Sequence, residues 1–224
     1  PVPDIEGLPL SVHLHILGMT GLTAYVGLTA IAGMKEGDTV FVSGAAGAVG
    51  TAVGQIAKQL GASRVIGSAG SAEKVALLTQ KYGYDEAFNY KEVNVREQLP
   101  VSAPDGVDVY FDNVGGDHLE AALDAMNDGG RIALCGAISG YNTTDRTPGP
   151  DNMANIITRG LKLEGFTLAN YLHHAPAFRE KMTKWFAEGK IAYDETVVDG
   201  IENTVDAFLD MMRGANTGKM LVRI

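Results

Sequence analysis

Cysteine is almost missing: Cys135 is the single one in 224 residues. That excludes an internal disulfide and any cysteine-cluster zinc site, and it suits a reducing cytoplasm. Lys and Arg form no run and the net charge is −9, so the chain lacks the electrostatic footprint for nucleic acid or an acidic membrane surface. No stretch of ~18 apolar residues and no signal peptide is present, so nothing reads as spanning or crossing a membrane. Internal repeats and low-complexity segments are absent too. The opening PVPDIEGLPL has neither a methionine nor a domain-like start, and reads as an excerpt of a longer polypeptide. With 46% hydrophobic and 20% charged residues, the composition is that of an ordinary globular protein. The length fits one large or two small domains at ~100–200 residues per domain.

What is present is concentrated between Asp38 and Gly61. Val40, Phe41 and Val42 form the short apolar run of a strand buried on both faces, and Gly44, Gly47 and Gly50 follow at three-residue spacing. A backbone that approaches phosphate oxygens closely has no room for a side chain at Gly47. A helix opening there offers unpaired N–H groups and the positive end of its dipole to an anion, and Gly50 lets it pack closely on the strand. Val49, Val53, Ile56, Ala57 and Leu60 lie on one helical face, with Gly61 as the stop. The motif reads AAGAVG, with Ala45 where the GxGxxG fingerprint has its first glycine. Such a cluster also serves as a plain tight turn, so the pattern alone leaves both readings open.

Strand and helix then alternate. Arg64 to Ser68 reads as a strand, with a helix from Ser71 to Tyr82 whose N-cap is Ser71. A short strand spans Ala87 to Tyr90, a helix Val93 to Leu99, and a buried strand Val107 to Phe111, closed by Asp112, Asn113 and the turn glycines Gly115 and Gly116. His118 to Met126 reads as helical, Gly129 and Gly130 end it, and Arg131 to Cys135 is the next strand. Units of this kind imply parallel strands with right-handed crossovers, hence an α/β fold with a doubly wound parallel sheet. A polar loop, SGYNTTDRTPGPDN, follows at the carboxyl end of a strand, where open α/β sheets bind ligands. Beyond it come a helix near Met153 to Arg159, a final core strand LKLEGFTL, and an amphipathic helix from Pro176 to Gly189 carrying Phe178, Met182, Trp185 and Phe186. The tail from Glu195 to Ile224 reads strand, helix, strand.

Histidines give little chemistry. His13 and His15 alternate with Leu14 and Ile16 in the rhythm of a half-buried strand. His118 sits near a helix start with no evident base or nucleophile beside it. His173 and His174 are adjacent, face different ways on a helix, and read as a solvated helix start. The strand that ends Gly67, Ser68, Ala69, Gly70 lacks the Asp or Glu that grips the adenosine ribose in NAD-binding turns, so nothing there repels a 2′-phosphate.

The glycine turn, FDNVGG at Phe111 to Gly116, CGAISGYN at Cys135 to Asn142 and GANTGKMLV near the end occur in one order. Together they make the chain, from about Gly18 to Ile224, resemble the medium-chain dehydrogenase/reductases. The resemblance is to their zinc-independent branch of prostaglandin reductases, leukotriene B4 12-hydroxydehydrogenases and curcumin or alkenal reductases. It implies a Rossmann domain at 29–194, flanked by the end of a GroES-like β domain with its bridge at 1–28 and a return segment at 195–224, most of the GroES-like domain being absent.

The resemblance further implies NADP as cofactor. Gly47, Ala48, Val49 and Gly50 would lie at the pyrophosphate, Lys74 and Tyr90 at the 2′-phosphate, and Asn113 and Asn216 against the cofactor. Cys135, Gly136, Ala137, Ile138, Ser139, Gly140 and Tyr141 would run along the nicotinamide half, with Phe166, Thr167 and Leu168 as another wall. Taken without it, Lys74 is a solvated surface lysine, Asn113 and Asn216 are turn residues and Cys135 is a small core residue.

Tyr141 is the candidate catalytic residue: a hydroxyl that meets the charge developing on a carbonyl oxygen as a conjugated C=C bond is reduced. A cofactor ribose hydroxyl or solvent could serve instead, which would leave Tyr141 an ordinary loop tyrosine. Met19 stands where zinc enzymes of this fold carry a ligating cysteine, and thioether is a poor zinc ligand, so no metal is expected. The implied protein is a cytoplasmic, homodimeric NADPH-dependent reductase of small enones or enals, pairing through edge strands of the sheet. Quinone reduction and a non-catalytic NADPH-binding module stay open as alternatives.

Overall fold

The structure is a computed structural model that describes residues 8–144 and 148–224. The opening Pro1 to Gly7, and Asp145, Arg146 and Thr147 of the polar loop, lie outside the described residues. Leu10–Leu14 winds as a 3₁₀ turn, and helix α1 (Met19–Val26) continues as a π turn over Gly27–Ile31. Six units then follow: β1 (Thr39–Val42), α2 (Ala48–Gln59), β2 (Arg64–Ala69), α3 (Ala72–Gln80), β3 (Glu86–Asn89), α4 (Val95–Ser102), β4 (Val107–Asp112), α5 (Gly116–Ala125), β5 (Met126–Leu134), α6 (Ala154–Thr158) and β6 (Lys162–Gly165). The chain closes with α7 (Ala175–Ala187), β7 (Glu195–Asp199), α8 (Thr204–Met212) and β8 (Lys219–Arg223). No described helix is long and apolar enough to cross a membrane.

The six-stranded sheet has the order β3-β2-β1-β4-β5-β6 with every pairing parallel, the doubly wound arrangement expected from the alternation. Alternate side chains divide between two cores. Val40, Val42, Val65, Val109 and Phe111 pack with α1, α2, α3 and α7 on one face. Phe41, Ile66, Tyr110 and Ile132 pack with α4 and α5 on the other. Parallel strands with both faces covered read as unbroken apolar runs, which is why they were legible. β7 and β8 form a separate two-stranded parallel sheet.

Several expectations are corrected. His13 to Ile16 is no strand. Val12, His15 and Ile16, at helical spacing of three and four, turn inward from a 3₁₀ turn that follows Pro9. Glycines 129 and 130 do not end a helix before β5. α5 stops at Ala125, Met126 already pairs with Val107, and the register shift between Val107 and Val109 absorbs the extra residues, Gly129 at φ +71° among them. Helix α4 starts two residues later than expected, where Asn94 caps the Arg96 amide, and runs past Leu99 through Pro100. β6 is an edge strand with only β5 beside it, not a core strand. His173 and His174 do not diverge: their rings lie 4.3 Å apart beside Tyr171. Gly50 packs on the glycine turn rather than on the strand, since a Cβ there would stand 2.5 Å from the Gly44 oxygen and 2.6 Å from Ala45 Cα.

Helix α2 is held as closely farther along. Tyr84, buried, donates its hydroxyl to the Gly50 oxygen at 2.7 Å, and a Cβ on Gly54 would lie 2.1 Å from its ring. Gly54→Ala is therefore expected to lower the unfolding free energy by about 1–3 kcal/mol through overpacking, although alanine favours a helix by up to ~1 kcal/mol. Urea denaturation of the two proteins checks it. His15 is fully buried, with Nδ1 3.3 Å from Thr20 Oγ1, and burial, followed by the charge of Lys219, lowers its pKa to about 4. The folded chain keeps this ring neutral where the unfolded chain protonates it. Its contribution is whole above pH 6.5 and is lost as pH falls toward 4, by roughly 2–3 kcal/mol. His15→Gln should flatten stability-against-pH curves in that window.

Candidate functional site

The strand order reverses between β1 and β4, so the turns leaving their carboxyl ends diverge and open a crevice. The first turn is Ser43 to Gly47. Gly44 adopts φ +60°, Ala45 donates to the Ser68 oxygen at 2.9 Å, and α2 begins at Gly47 with no side chain capping it. The first-turn amides of α2 and the positive end of its dipole therefore face the crevice. This is a cradle kept clear by glycine.

The second turn, Asn113 to Gly116, is locked to the first by a buried network. Asp112 Oδ1 accepts from the amides of Val114 and Gly115 at 2.8 Å each, and from Ser43 Oγ at 3.1 Å. Tyr110 Oη lies 2.6 Å from the same oxygen and 2.9 Å from Ser43 Oγ; burial and the Asp112 charge push its pKa well up. Asn113 donates from its amide to Ser43 Oγ at 3.0 Å and from Nδ2 to the Ser43 oxygen at 2.8 Å. The Asn113 side chain thus ties β4 to β1, a larger role than a local turn-former.

The crevice, about 1120 Å³, is large for a small-molecule site. Of the candidate residues its walls include Gly47, Ala48, Val49, Gly50, Lys74, Tyr90, Asn113, Gly136, Ile138, Ser139, Tyr141 and Asn216. At one end the segment after β5 lies on the second turn: Ser139 donates its amide and Oγ to the Val114 oxygen at 3.1 and 2.6 Å. There Tyr141 Oη accepts the Ala137 amide at 3.3 Å, which leaves its own proton free to donate, and the side chain is 61% exposed. Near the glycine turn the carboxy-terminal segment forms an outer wall. Gly218 donates to the Ala46 oxygen at 3.1 Å, and Lys74 Nζ donates to the Gly214 oxygen at 2.5 Å. Asn216 Nδ2 is engaged with the Gly218 oxygen at 2.9 Å.

Other candidates stand apart. Cys135 and Ala137 line a smaller hollow of about 400 Å³ that shares Tyr141 with the crevice. Gly140 lines neither. Phe166 spends its ring on packing, edge-on to Phe111 and to Tyr171, and Thr167 and Leu168 follow it into a 3₁₀ turn away from the crevice walls. Sequence reasoning missed the Ser43–Tyr110–Asp112 network, Lys91, and the wall from Met211 to Gly214. Lys91 directly follows the candidate Tyr90, a signal that was available; the network joins residues 67 to 70 apart and left none. His118, whose surroundings looked empty in sequence, is buried in the crevice wall. Its ring is edge-on to Tyr90 at 5.1 Å, and burial lowers its pKa against the opposing charges of Asp112 and Asp117.

Five cationic side chains (Lys74, Lys91, Arg96, Arg213 and Lys219) line the crevice against two acidic ones, Asp117 and Glu120. Arg96 is ion-paired to Glu120, Asp124 and Asp151, and Arg213 to Asp210, which leaves Lys74, Lys91 and Lys219 with the α2 amides to suit an anionic ligand.

Residues 48–188 match the zinc-binding dehydrogenase family. The chain is 47% identical over 220 residues to the NADP(+)-dependent 2-alkenal reductase of Nicotiana tabacum, covering 98% of this chain and 64% of that one. It is 50% identical over 222 residues to prostaglandin reductase 1 of Bos taurus, covering 97% and 66%. It superposes on CurA of Vibrio vulnificus in complex with NADPH with a TM-score of 0.91 at 43% identity, over 98% of this chain and 67% of that one. The chain thus spans just under two thirds of the length of the two reductases.

Cys135, at the rim of the smaller hollow, has its thiol pushed up to about 11 by burial and then by the Asp112 charge. At pH 8 only about one molecule in a thousand would carry the thiolate. Alkylation by iodoacetamide should be correspondingly slow in the folded protein, accelerate as pH rises toward 11, and become fast at pH 8 once the chain is unfolded in urea.

Proposed function

Because the chain belongs to the zinc-binding dehydrogenase family and stands among its prostaglandin and 2-alkenal reductases, we propose that the whole protein is an NADPH-dependent reductase. Its substrates are small α,β-unsaturated ketones and aldehydes, whose C=C bond it reduces. The observation that carries the reading is the crevice between β1 and β4, with an uncapped helix start on one side, cations along its walls and no carboxylate where β2 ends. The likeness to CurA in complex with NADPH and the names of the two reductases support the cofactor and the substrate class.

The residues fit such a dinucleotide. Amides of Ala48, Val49 and Gly50 hold the pyrophosphate at the positive end of α2, beside Gly47, whose own amide is given to the Gly44 oxygen, and any side chain at Gly50 would clash with Ala45. Lys74 and Tyr90 take the 2′-phosphate, and Asn113 and Asn216 border the crevice between the two ends. Cys135 to Tyr141 carries the chain past the nicotinamide half, with Phe166, Thr167 and Leu168 supporting it from behind. When bound, the reduced nicotinamide supplies hydride to the substrate's β-carbon. Tyr141 then donates its free hydroxyl proton toward the carbonyl oxygen, where enolate charge grows in the transition state. Zinc does not fit: Met19 is an exposed thioether, and among the described residues no group of three or more His, Cys, Asp or Glu is placed to hold a metal ion.

The remaining third of the protein, a β-rich domain, completes the substrate pocket. Residues 1–28 bridge to it, 29–194 form the dinucleotide domain and 195–224 return to it. The protein works in the cytoplasm, where a lone reduced thiol is at home, as a homodimer paired through the edge of the sheet at β6.

In the whole protein, Tyr141→Phe should lower enone turnover by roughly 10- to 100-fold while leaving NADPH affinity unchanged. Steady-state kinetics with an enone, and with a quinone as comparison acceptor, measure it. Unaltered enone turnover would retire the role of Tyr141, and turnover of the quinone alone would replace the substrate class.

A further inference from the structure

The carboxy-terminal wall of the crevice is held through one short stretch, Ala192 to Asp194, between α7 and β7. Two neighbouring elements grip it. From α2, the buried Gln55 makes a reciprocal pair of hydrogen bonds with Ala192: its Nε2 donates to the Ala192 oxygen at 2.9 Å and its Oε1 accepts the Ala192 amide at 2.7 Å. From the end of α3, Lys81 Nζ donates to Asp194 Oδ1 at 2.5 Å, and the hydroxyl of the buried Tyr82 donates to Asp194 Oδ2.

The two contacts on Asp194 are unequal. The Lys81 pair is about a third exposed on each side, where an ion pair contributes little. Tyr82 is 1% exposed, and a buried phenol must find an acceptor, of which a carboxylate is the strongest. Burial and then Asp194 raise the Tyr82 pKa, so the phenol keeps its proton and stays the donor.

The Asp194 backbone then seats the wall. Its oxygen accepts the Lys219 amide at 3.1 Å, and a Cβ on Gly218 would stand 2.1 Å from that same oxygen. Gly218, at φ +63°, is thereby pressed between Asp194 and the glycine turn, where its amide donates to the Ala46 oxygen and it bridges Gly47. Asn216 is bonded to the Gly218 oxygen and moves with it. A shift of Asp194 is therefore a shift of the wall beside the first turn of α2.

We infer that Tyr82 and Asp194, neither of which lines the crevice, are positioning residues that hold its outer wall against the glycine turn and so set how long a bound dinucleotide stays. This rests on the NADPH reading above and adds to it a control exerted from behind the wall. A ligand lying along the glycine turn leaves when the wall gives way, so a looser wall raises the dissociation rate more than it lowers the association rate.

The test uses the intact protein as wild type, Tyr82→Phe, Asp194→Asn and Lys81→Gln, with two readouts: amide hydrogen exchange without ligand, and stopped-flow binding of NADPH and NADH. Tyr82→Phe changes no charge and keeps the ring. It should speed exchange at Gly218 and Lys219 about tenfold while the amides of β4 keep their rates, and speed dissociation about three- to tenfold, by the same factor for both cofactors. Asp194→Asn should do at least as much, and Lys81→Gln much less. Exchange that rises equally throughout the chain in Tyr82→Phe means general destabilisation and overturns the inference. So does a local rise at Gly218 with unaltered dissociation, or an effect on NADPH alone. A wild type that binds neither cofactor removes the cofactor reading, while exchange at Gly218 and Lys219 still decides whether Tyr82 and Asp194 seat the wall.

Discussion

One buried carboxylate holds the crevice in shape. Asp112, 1% exposed at the end of β4, gathers two backbone amides and the hydroxyls of Ser43 and Tyr110 onto a single oxygen. A charge removed from water is costly unless hydrogen bonds compensate it, and here the compensating donors come from β1, from β4 and from the turn that follows β4. The same contacts that make the carboxylate tolerable therefore fix the separation of the two turns. Once that separation is set, the Asp112 carbonyl receives the amides of Cys135 and Gly136, and the segment that carries Tyr141 is laid across the second turn.

On the other side of the crevice, steric exclusion does comparable work. Gly50 against Ala45 and Gly54 against Tyr84 hold α2 close to the glycine turn and to the segment before β3, so that its first-turn amides, rather than side chains, form the floor of the anion cradle. The carboxy-terminal segment closes the outer wall by backbone hydrogen bonding at Gly218 and by the Lys74 contact at Gly214. An acidic protein thus presents a cleft with lysines that no carboxylate pairs among the described residues, Lys74, Lys91 and Lys219, and helix and backbone dipoles add positive potential.

Sequence reasoning succeeded where one local rule governed. Val40 to Val42, Val107 to Phe111 and the strand from Arg64 are doubly buried and read as apolar runs; Ser71 does cap α3 through the Lys74 amide. It failed where a partner distant in sequence decided the outcome. Whether Met126 belongs to a helix end or a strand depends on Val107 beside it, and whether Lys162 to Gly165 is core or edge depends on what lies beyond β5. The alternation of His13 and His15 was accidental; the side chains turned inward follow a helical spacing dictated by packing on α1.

The candidate site divides the same way. The glycine spacing and the absent carboxylate after β2 lie in consecutive residues, because backbone clearance and charge at a turn are properties of a few neighbouring positions. The α/β class and the parallel sheet were legible from the alternation of strand and helix, and the glycine spacing marked a turn suited to an anion. Tertiary structure alone decided that Ser43, Tyr110 and Asp112 share one network, that Tyr90 and Lys91 close on Gly70, and that Phe166 packs on Phe111 behind the crevice. Those outcomes depend on strand order and crossover direction. Both bring together residues far apart in the chain, and no pattern in either segment by itself encodes the meeting.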